Sequence, residues 1–332
     1  MDKNIVPKIS VLMPVYNCRQ YIEESVNSIL NQTYTDFEFI IIDDCSTDGT
    51  FEYLSSLADS RINLIRKPKN SGYTISLNMG LEIAKGEYVA RMDGDDISLS
   101  DRFAKQVNFM DNNQDVVVCG GAYEIIGSKW KFVPKCTNDE IIFDMMSVSV
   151  IAHPTAFFRN SILKENNITY NKDYEPAEDY KMWTLLSEYG KLANLNDVLL
   201  YYRMHPNQTS SLRAKSQNEI SKLISLEFVK NLSKGNENIN VFFKLNSVDD
   251  LVKYESVEAN ILDTLKERGI RTNTKLFLER KQQILVQSLT ENKYSLTLAK
   301  KKYKFILKSR PMLGYSFICK YFLRCIKYSL VR

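Results

Sequence analysis

Acidic side chains cluster at three points of this 332-residue chain, and each cluster could bind a cation or accept a proton. The clusters are Asp43-Asp44, Asp93-Gly94-Asp95-Asp96 and Glu178-Asp179. Adjacent carboxylates repel each other unless a cation or a hydrogen-bond donor neutralises them. Oxygen ligands suit Mg²⁺ or Mn²⁺, which often share their coordination shell with substrate phosphates. Because the chain has only two histidines, a metal here would be held mainly by carboxylates.

Each cluster also has a structural interpretation. The segment that starts at Asp43 could cap the following helix, whereas Asp44 could accept a hydrogen bond from a nucleobase N–H. Acidic residues in a first helical turn are favoured by the helix dipole, and the same position suits a general base such as Asp179. His153 and His205 could be structural hydrogen-bonding residues, although His205, close to Arg203, could also contact a diphosphate or a metal.

The elements that must position these residues follow from hydrophobic periodicity. Short apolar runs predict strands at 9–15, 37–42, 62–65 and 88–92, and amphipathic segments predict helices at 21–30, 51–58, 75–84 and 102–110. This alternation is typical of a parallel α/β sheet. Ligands of such sheets bind beyond the carboxyl ends of the strands, which is where the first two acidic clusters lie.

The later part of the chain has a different pattern. Short strands are predicted at 123–126 and 155–158, followed by a helix that begins near Glu178, and the remainder has helical periodicity. We therefore predict a catalytic domain over residues 1–212 and a helical, basic C-terminal region over residues 213–332. The chain lacks a Walker A sequence, a GxGxxG fingerprint and a GxSxG elbow, which disfavours kinase, dehydrogenase and esterase functions.

Six motifs occur in order between residues 8 and 210. They are Pro14-Val15-Tyr16-Asn17, Ser28-Ile29-Leu30-Asn31-Gln32-Thr33, Asp43-Asp44-x-Ser46-x-Asp48-Gly49-Thr50, Asn70-x-Gly72, Asp93-x-Asp95-Asp96 and Glu178-Asp179-x-x-x-Trp183. In this combination the chain resembles family 2 glycosyltransferases with the GT-A fold. The resemblance implies a nucleotide-diphospho-sugar transferase domain, in which a Rossmann-like mixed sheet is flanked by helices, followed by a helical C-terminal extension.

The resemblance also implies roles for individual residues. It places one group around the donor nucleotide: Pro14, Tyr16, Asp43, Asp44, Gly72 and Asn78. Asp95 matches the carboxylate that binds the metal, with Asp93 beside it, while Arg203 and His205 belong to a late element near the phosphates and His205 could ligate the metal. His153 lies in an acceptor-side loop and is counted with the donor-binding residues. Asp179 matches the catalytic base, with Glu178 next to it.

These roles imply an inverting hexosyltransferase that uses Mn²⁺ or Mg²⁺. Its donor would be a UDP-sugar carrying glucose, galactose or an N-acetylhexosamine, and its acceptor a polyprenyl-diphosphate-linked or bacterial surface glycan. Two alternatives stay open from the residues alone. A sugar nucleotidylyltransferase would need a Gly-rich, basic loop that residues 14–19 do not supply, and a noncatalytic membrane-bound interaction protein would not need the acidic clusters.

The end of the chain is strongly basic. After Glu291 there are eleven Lys and Arg residues and no acidic residue, although the net charge of the whole chain is only +4. Aromatic and basic residues at helical spacing between 315 and 330 predict a helix on an anionic membrane surface, with a homodimer contact as the alternative. We expect no nucleic-acid partner, since no recognised module is present. The expected location is cytoplasmic, peripheral on the inner face of the cell membrane.

Overall fold

A computed structural model describes residues 6–206, 208–245 and 249–290, together with Lys320. Within these residues, nine strands form one mixed sheet. The strands are β1 (Ile9–Val15), β2 (Phe37–Asp43), β3 (Ile62–Arg66), β4 (Tyr88–Arg91), β5 (Ile97–Ser98), β6 (Val116–Ile125), β7 (Lys131–Phe132), β8 (Phe157–Arg159) and β9 (Lys191–Tyr202). The strand order is β3-β2-β1-β4-β8-β6-β9-β5, and β7 pairs with β6 outside this path.

Helices follow most of the strands. Those before residue 213 are α1 (Ile22–Leu30), α2 (Thr50–Ser55), α3 (Tyr73–Ile83), α4 (Arg102–Asn112), α5 (Asn138–Asp144), α6 (Asn160–Glu165), α7 (Glu178–Leu186) and α8 (Thr209–Leu212). The later ones are α9 (Ala214–Leu232), α10 (Asp249–Glu267) and α11 (Thr274–Thr290). Short 3₁₀ turns lie at His153–Thr155, Lys172–Tyr174 and Ile239–Phe242.

Strand direction determines where ligands can bind. β1, β2, β3 and β4 are parallel, β8 is antiparallel to both β4 and β6, and β9 is parallel to β6. All of these strands except β8 therefore run in one direction and end along one edge of the sheet, which we call the carboxyl edge. The predicted α/β class and the predicted mixed sheet are confirmed.

Both faces of the sheet are covered because its central strands are apolar on both sides. Val11 and Met13 of β1 belong to a buried cluster with Val26 of α1 and Phe103 of α4. On the other face α3 packs against β1 and β2, and its Gly80 lies against Leu12. A strand buried on both faces reads as a continuous apolar run, which is how β1 and β2 appear in the sequence.

The chain divides into two compact units, Met1–Ser225 and Leu226–Arg332. The predicted boundary between residues 212 and 213 coincides with the end of α8, whereas the compact units divide within α9. In the second unit, Phe242 stacks on Tyr254 with ring centroids 5.4 Å apart, and Val257 and Ile261 are buried on the same helix. Helical structure is thus confirmed for the described part of this region. The basic segment 292–332 lies outside the described residues, Lys320 excepted.

No helix among residues 6–206, 208–245 and 249–290 combines the length and the apolar character needed to cross a membrane.

Candidate active site

The loops that follow β1 and β2 at the carboxyl edge are joined to each other by hydrogen bonds. Asn17 has φ +48° and accepts a hydrogen bond from the Thr47 backbone N–H at 2.8 Å, while its own N–H donates to Ser46 Oγ at 3.0 Å. Pro14 is buried within β1, and Tyr16, just past the strand, is 50% exposed. Tyr16 therefore offers an accessible ring at the position predicted for the nucleotide, with Pro14 beneath the same turn.

Asp43 and Asp44 are both buried, but each has its own partners. Asp43 accepts hydrogen bonds from the Ser46 N–H at 3.2–3.3 Å and lies 3.5 Å from Arg66 Nε. Cys45, which directly follows Asp44, has φ +63°, a left-handed conformation that glycine adopts at lower cost.

Asp44 organises the segment that leads into α3. Its Oδ1 lies 2.7 Å from Lys67 Nζ and accepts from the Ser71 N–H, and its Oδ2 accepts from the Gly72 N–H, both at 2.9 Å. Lys67 Nζ also donates to Gly72 O and to Ser76 Oγ. Gly72 has φ +98° and stands directly before α3. The structure thus brings Asp44 and Gly72 together, and a base contact by Asp44 stays a prediction.

Three carboxylates after β4 form the strongest candidate for a metal site. Ligand oxygens of Asp93, Asp95 and Asp96 lie within 4.8 Å of one another. Gly94, between Asp93 and Asp95, packs closely, since a Cβ there would lie only 3.0 Å from Val15 Cγ1 and 3.1 Å from Cys18 Sγ and these side chains would have to shift. Burial raises the pKa of Asp95 and raises that of Asp96 well above its usual value, and Asp93 adds to both shifts by charge repulsion.

These residues fit a divalent cation by an independent criterion. Asp96 Oδ2 is buried and accepts no hydrogen bond within the described part of the chain. A buried carboxylate oxygen normally has a partner, and a cation would supply one while favouring the ionised forms of all three side chains. Asp96 thus joins the predicted pair Asp93 and Asp95 as a candidate ligand, and His205 Nε2 lies 2.9 Å from Asp95 Oδ2. The sequence placed Asp96 in the acidic cluster but assigned it no individual role.

The segment that follows β9 contacts this carboxylate cluster. The Arg203 N–H donates to Asp96 Oδ1 at 2.9 Å, and its Nε donates to Asp95 O at 2.8 Å. Its guanidinium lies 4.8 Å from the ring centroid of Tyr21 and forms an ion pair with Glu24. The fold therefore places Arg203 and His205 beside Asp95, and their contacts to phosphate or metal stay predictions.

Glu178 and Asp179 begin α7 and are linked to two other segments. Glu178 Oε2 accepts from the Tyr73 hydroxyl at 2.5 Å, and Asp179 Oδ2 accepts from Ser149 Oγ at 3.4 Å. Burial, followed by repulsion from Asp179, raises the pKa of Glu178 to about 8. Burial raises the pKa of Asp179 to about 6, against the opposing effects of backbone and Ser149 hydrogen bonds and of Arg91. The two carboxyls titrate as a pair, and the pKa of each lies above its usual value.

His153 and Asn78 are attached to Tyr170. His153 Nε2 lies 2.8 Å from the Tyr170 hydroxyl and its Nδ1 lies 4.0 Å from Glu178 Oε1. Burial and the Arg91 charge lower the pKa of His153 well below its usual value, so the ring is neutral. Asn78 exchanges two hydrogen bonds with the Tyr170 backbone, at 2.8 and 2.9 Å. These contacts place His153 next to the α7 cluster and tether Asn78 to a backbone, so donor contacts by either stay predictions.

Arg91 was missed by sequence reasoning. It ends β4, is 4% exposed and forms an ion pair with Asp93, while its Nε has no hydrogen-bond acceptor among the described residues. Its charge also lowers the pKa of Asp95 and Asp179. The available signal was an arginine at the end of a strand that is otherwise buried, because such a charge requires an acidic partner nearby.

The chain is similar to known sugar-transferring proteins. The model of "Glycosyl transferase family 2" matches residues 10–167. An "uncharacterized glycosyltransferase" of Haemophilus influenzae is 39% identical over 235 residues, which cover 67% of this chain and 73% of the relative. The Escherichia coli UDP-Glc:alpha-D-GlcNAc-diphosphoundecaprenol beta-1,3-glucosyltransferase WfaP is 30% identical over 236 residues, which cover 66% of this chain and 87% of WfaP.

Solved structures share the fold. S. aureus TarS 1–349 in complex with UDP-GlcNAc superposes with a TM-score of 0.57 at 21% identity, covering 98% of this chain and 92% of TarS. The mannosyltransferase PcManGT from Pyrobaculum calidifontis, in complex with GDP-Man and Mn²⁺, has a TM-score of 0.51 at 16% identity and covers 98% and 88% of the two chains. The TarS match confirms the GT-A fold that the sequence predicted. The chain belongs to the family 2 glycosyltransferases and is a sugar-transferring enzyme.

Proposed function

We propose that this enzyme transfers a hexose from a UDP-sugar to a hydroxyl of a lipid-linked or surface glycan, with inversion at the anomeric carbon. One observation carries the proposal: the carboxyl edge presents a three-carboxylate cluster at Asp93, Asp95 and Asp96, and the buried Arg91 that forms an ion pair with Asp93 also lowers the pKa of Asp179 by its charge. The first group suits the diphosphate side of a donor, and the second suits the removal of a proton from an acceptor.

The donor nucleotide would bind to the loops at the ends of β1 and β2 and to the segment before α3, which are connected to one another by hydrogen bonds. Tyr16 is accessible at the end of β1, and Asp44 holds the Gly72 turn through two backbone hydrogen bonds to the segment before α3. A UDP-sugar is the preferred donor because the name of WfaP gives UDP-Glc as its donor and the TarS structure was solved in complex with UDP-GlcNAc. Glucose, galactose and N-acetylhexosamines are the candidate sugars.

Asp93, Asp95 and Asp96 would hold Mn²⁺ or Mg²⁺, with His205 as a further candidate ligand. When bound, such an ion neutralises the negative charge that accumulates on a departing diphosphate. Arg203 is well placed to keep this cluster in position, since it bonds to the backbone of Asp95 and to the side chain of Asp96.

Asp179 would act as the general base. It accepts the proton of the acceptor hydroxyl as that oxygen forms a bond to the anomeric carbon and the bond from that carbon to the diphosphate breaks. Attack from the side opposite the leaving group inverts the configuration. Burial and repulsion from Asp179 raise the pKa of the neighbouring Glu178 to about 8, and Glu178 accepts a hydrogen bond from the Tyr73 hydroxyl.

The acceptor and the location are further parts of this proposal. WfaP is named for a GlcNAc-diphosphoundecaprenol acceptor, which supports a polyprenyl-diphosphate-linked glycan here. An acceptor of this kind lies in a membrane, so we place the enzyme in the cytoplasm at the inner face, with the basic segment 292–332 contacting anionic lipid. A homodimer through the same segment is the alternative.

Turnover of candidate donors tests the proposal. The full chain is incubated with Mn²⁺, a diphosphate-lipid acceptor and UDP-, GDP- or dTDP-sugars in turn, and release of the nucleoside diphosphate is measured. We expect release from one or more UDP-sugars and a product whose anomeric configuration, read by NMR, is opposite to that of the donor. Turnover of GDP- or dTDP-sugars alone would refute the UDP assignment, and a retained configuration would refute the single displacement.

A further inference from the structure

The segment that follows β6 and includes β7 carries an exposed surface to which the proposed reaction assigns no role. Residues 126–135 follow β6, form the edge strand β7 and lead towards α5; we call them the basic hairpin. Trp130 is 51% exposed, Val133 is 59% exposed and Ile126 is 36% exposed. Large apolar side chains exposed next to one another commonly mark a contact surface.

The charge of the basic hairpin has one sign. Lys129, Lys131 and Lys135 are exposed, and no acidic residue occurs between 126 and 135. Lys135 lies 3.5 Å from Glu140 in a largely exposed pair, whereas Lys129 and Lys131 flank Trp130 directly. Tryptophan next to lysine is typical of protein segments at a membrane–water interface, where the indole lies at headgroup level and the ammonium groups meet anionic lipids.

The sheet topology places the basic hairpin at the carboxyl edge. β6 runs in the same direction as β1, β2 and β4, because β8 is antiparallel to both β4 and β6. The hairpin therefore projects from the edge that carries the acidic clusters. The connection is short, since the Ile126 N–H donates to Tyr202 O at 3.0 Å and the next residue, Arg203, bonds to Asp95 and Asp96.

Protection of an edge strand explains only part of this surface. Lysine on an edge strand discourages pairing with other chains, and this purpose would be served by Lys129 and Lys131 alone. It would not call for an exposed tryptophan between them. The ring of Trp130 has a centroid 6.0 Å from that of Tyr123, while Phe132 already stacks on the same Tyr123 at 5.0 Å. Trp130 thus remains half exposed beside an aromatic cluster that Phe132 fills.

We propose that the basic hairpin is a membrane-contact element that inserts Trp130 into the headgroup region of an anionic bilayer and brings the carboxyl edge to the lipid surface. The occupant is a lipid surface rather than a protein or a soluble glycan, because the exposed Lys129 and Lys131 on either side of Trp130 complement anionic headgroups while the indole suits the headgroup level. The basic hairpin is a different part of the sequence from the basic segment 292–332. The inference rests on the proposed function and adds to it how the active site is oriented towards the membrane. Its insertion does not depend on which sugar is transferred.

Tryptophan fluorescence tests the proposal directly. The chain has two tryptophans, Trp130 and the fully buried Trp183, which stacks on Phe158. Full-length protein is mixed with vesicles of equal parts phosphatidylcholine and phosphatidylglycerol, with and without brominated acyl chains. We expect a blue shift of the emission and quenching by the brominated lipid, and we expect Trp130→Phe to abolish both, leaving the Trp183 signal unchanged.

A charge variant separates the basic hairpin from the rest of the chain. Lys129→Ala with Lys131→Ala should weaken quenching-detected binding about 30-fold, because each lysine near an anionic surface contributes about 1 kcal/mol. The matched control, Lys215→Ala with Lys222→Ala, removes the same charge from exposed positions of α9 and should leave Trp130 quenching unchanged.

Several results would overturn the proposal. Co-sedimentation with vesicles without a change in Trp130 emission would assign membrane binding to another part of the chain. Emission changes caused by soluble oligosaccharide but not by vesicles would make this surface a glycan site. If both double lysine variants weakened vesicle binding equally, the binding would depend on the net charge of the protein rather than on the basic hairpin. None of these outcomes depends on turnover, so they are distinguishable from a failure of the proposed reaction.

Discussion

The hydroxyl of Tyr73 donates a 2.5 Å hydrogen bond to Oε2 of Glu178, and this bond joins the first residue of α3 to the first residue of α7. α3 begins at the Gly72 turn on the donor side, and α7 begins with the candidate base pair. The two sides of the proposed reaction are therefore connected by a hydrogen bond between residues 105 positions apart in the sequence.

Removal of this hydroxyl should destabilise the fold. Tyr73→Phe keeps the ring but leaves the buried Glu178 carboxyl without its donor, which should lower the free energy of unfolding by about 1–3 kcal/mol. Urea denaturation followed by circular dichroism measures the change. Tyr189→Phe, at an exposed position just after α7, is the matched control and should have little effect. Equal stabilities of the Tyr73 variant and the wild type would contradict the inferred link.

The buried pair of Lys67 and Asp44 should behave as one unit. Asp44→Asn or Lys67→Met alone leaves a charge buried without its partner and should cost about 3–5 kcal/mol of stability. The double variant removes both charges and should cost less than the sum of the two. A double-mutant cycle in urea measures this coupling, and Asp36→Asn with Lys69→Met, both exposed, forms the control cycle. Additive losses at Asp44 and Lys67 would show that the pair does not hold the Gly72 turn.

The pH dependence of transfer should follow the ionisation of Asp179. Only the ionised carboxylate accepts a proton, and burial raises its pKa to about 6. The value of kcat/KM should therefore rise with pH through this region and fall about tenfold per pH unit below it. Initial rates at saturating metal across a buffer series give the profile. An activity that stays constant down to the ordinary aspartate range, about pH 4, would exclude Asp179 as the base.

Metal removal should abolish transfer. Treatment with EDTA leaves Asp93, Asp95 and Asp96 with mutual repulsion, and added Mn²⁺ or Mg²⁺ should restore turnover. Asp95→Asn should raise the metal concentration required for half-maximal activity, whereas Asp36→Asn at an exposed position should not. Undiminished turnover after chelation would show that the three carboxylates serve another purpose.

Much of the first half of the fold could be predicted because its signals are local. The strands β1 and β2 are continuous apolar runs, and their observed bounds differ from the predicted ones by at most one residue at either end. The long strand β9 had no comparable signal. Its sequence alternates polar and apolar residues irregularly, and its pairing with β6 contains register shifts near Val116, Gly121 and Ala122. Such pairing is fixed by tertiary contacts between distant segments.

Some contacts of the candidate site could likewise be predicted from the sequence, and others could not. Asp93 and Asp95 are close in sequence, so their proximity in space could be predicted. The contact of His205 with Asp95 spans 110 positions, and the resemblance to a family rather than periodicity led to it. The buried Lys67, by contrast, is one of several basic residues between 66 and 69, and nothing in the sequence distinguishes it from its exposed neighbours. Its role depends on a contact with Asp44 that only the fold creates.

The transfer rate of Asp179→Asn at saturating donor, measured with donor affinity on the same sample, tests the central claim most directly. The account predicts a rate at least about 10²-fold below wild type, as expected for a lost general base, with donor affinity unchanged. Asp173→Asn, at an exposed position shortly before α7, should transfer at the wild-type rate. A near-normal rate for Asp179→Asn would contradict the account.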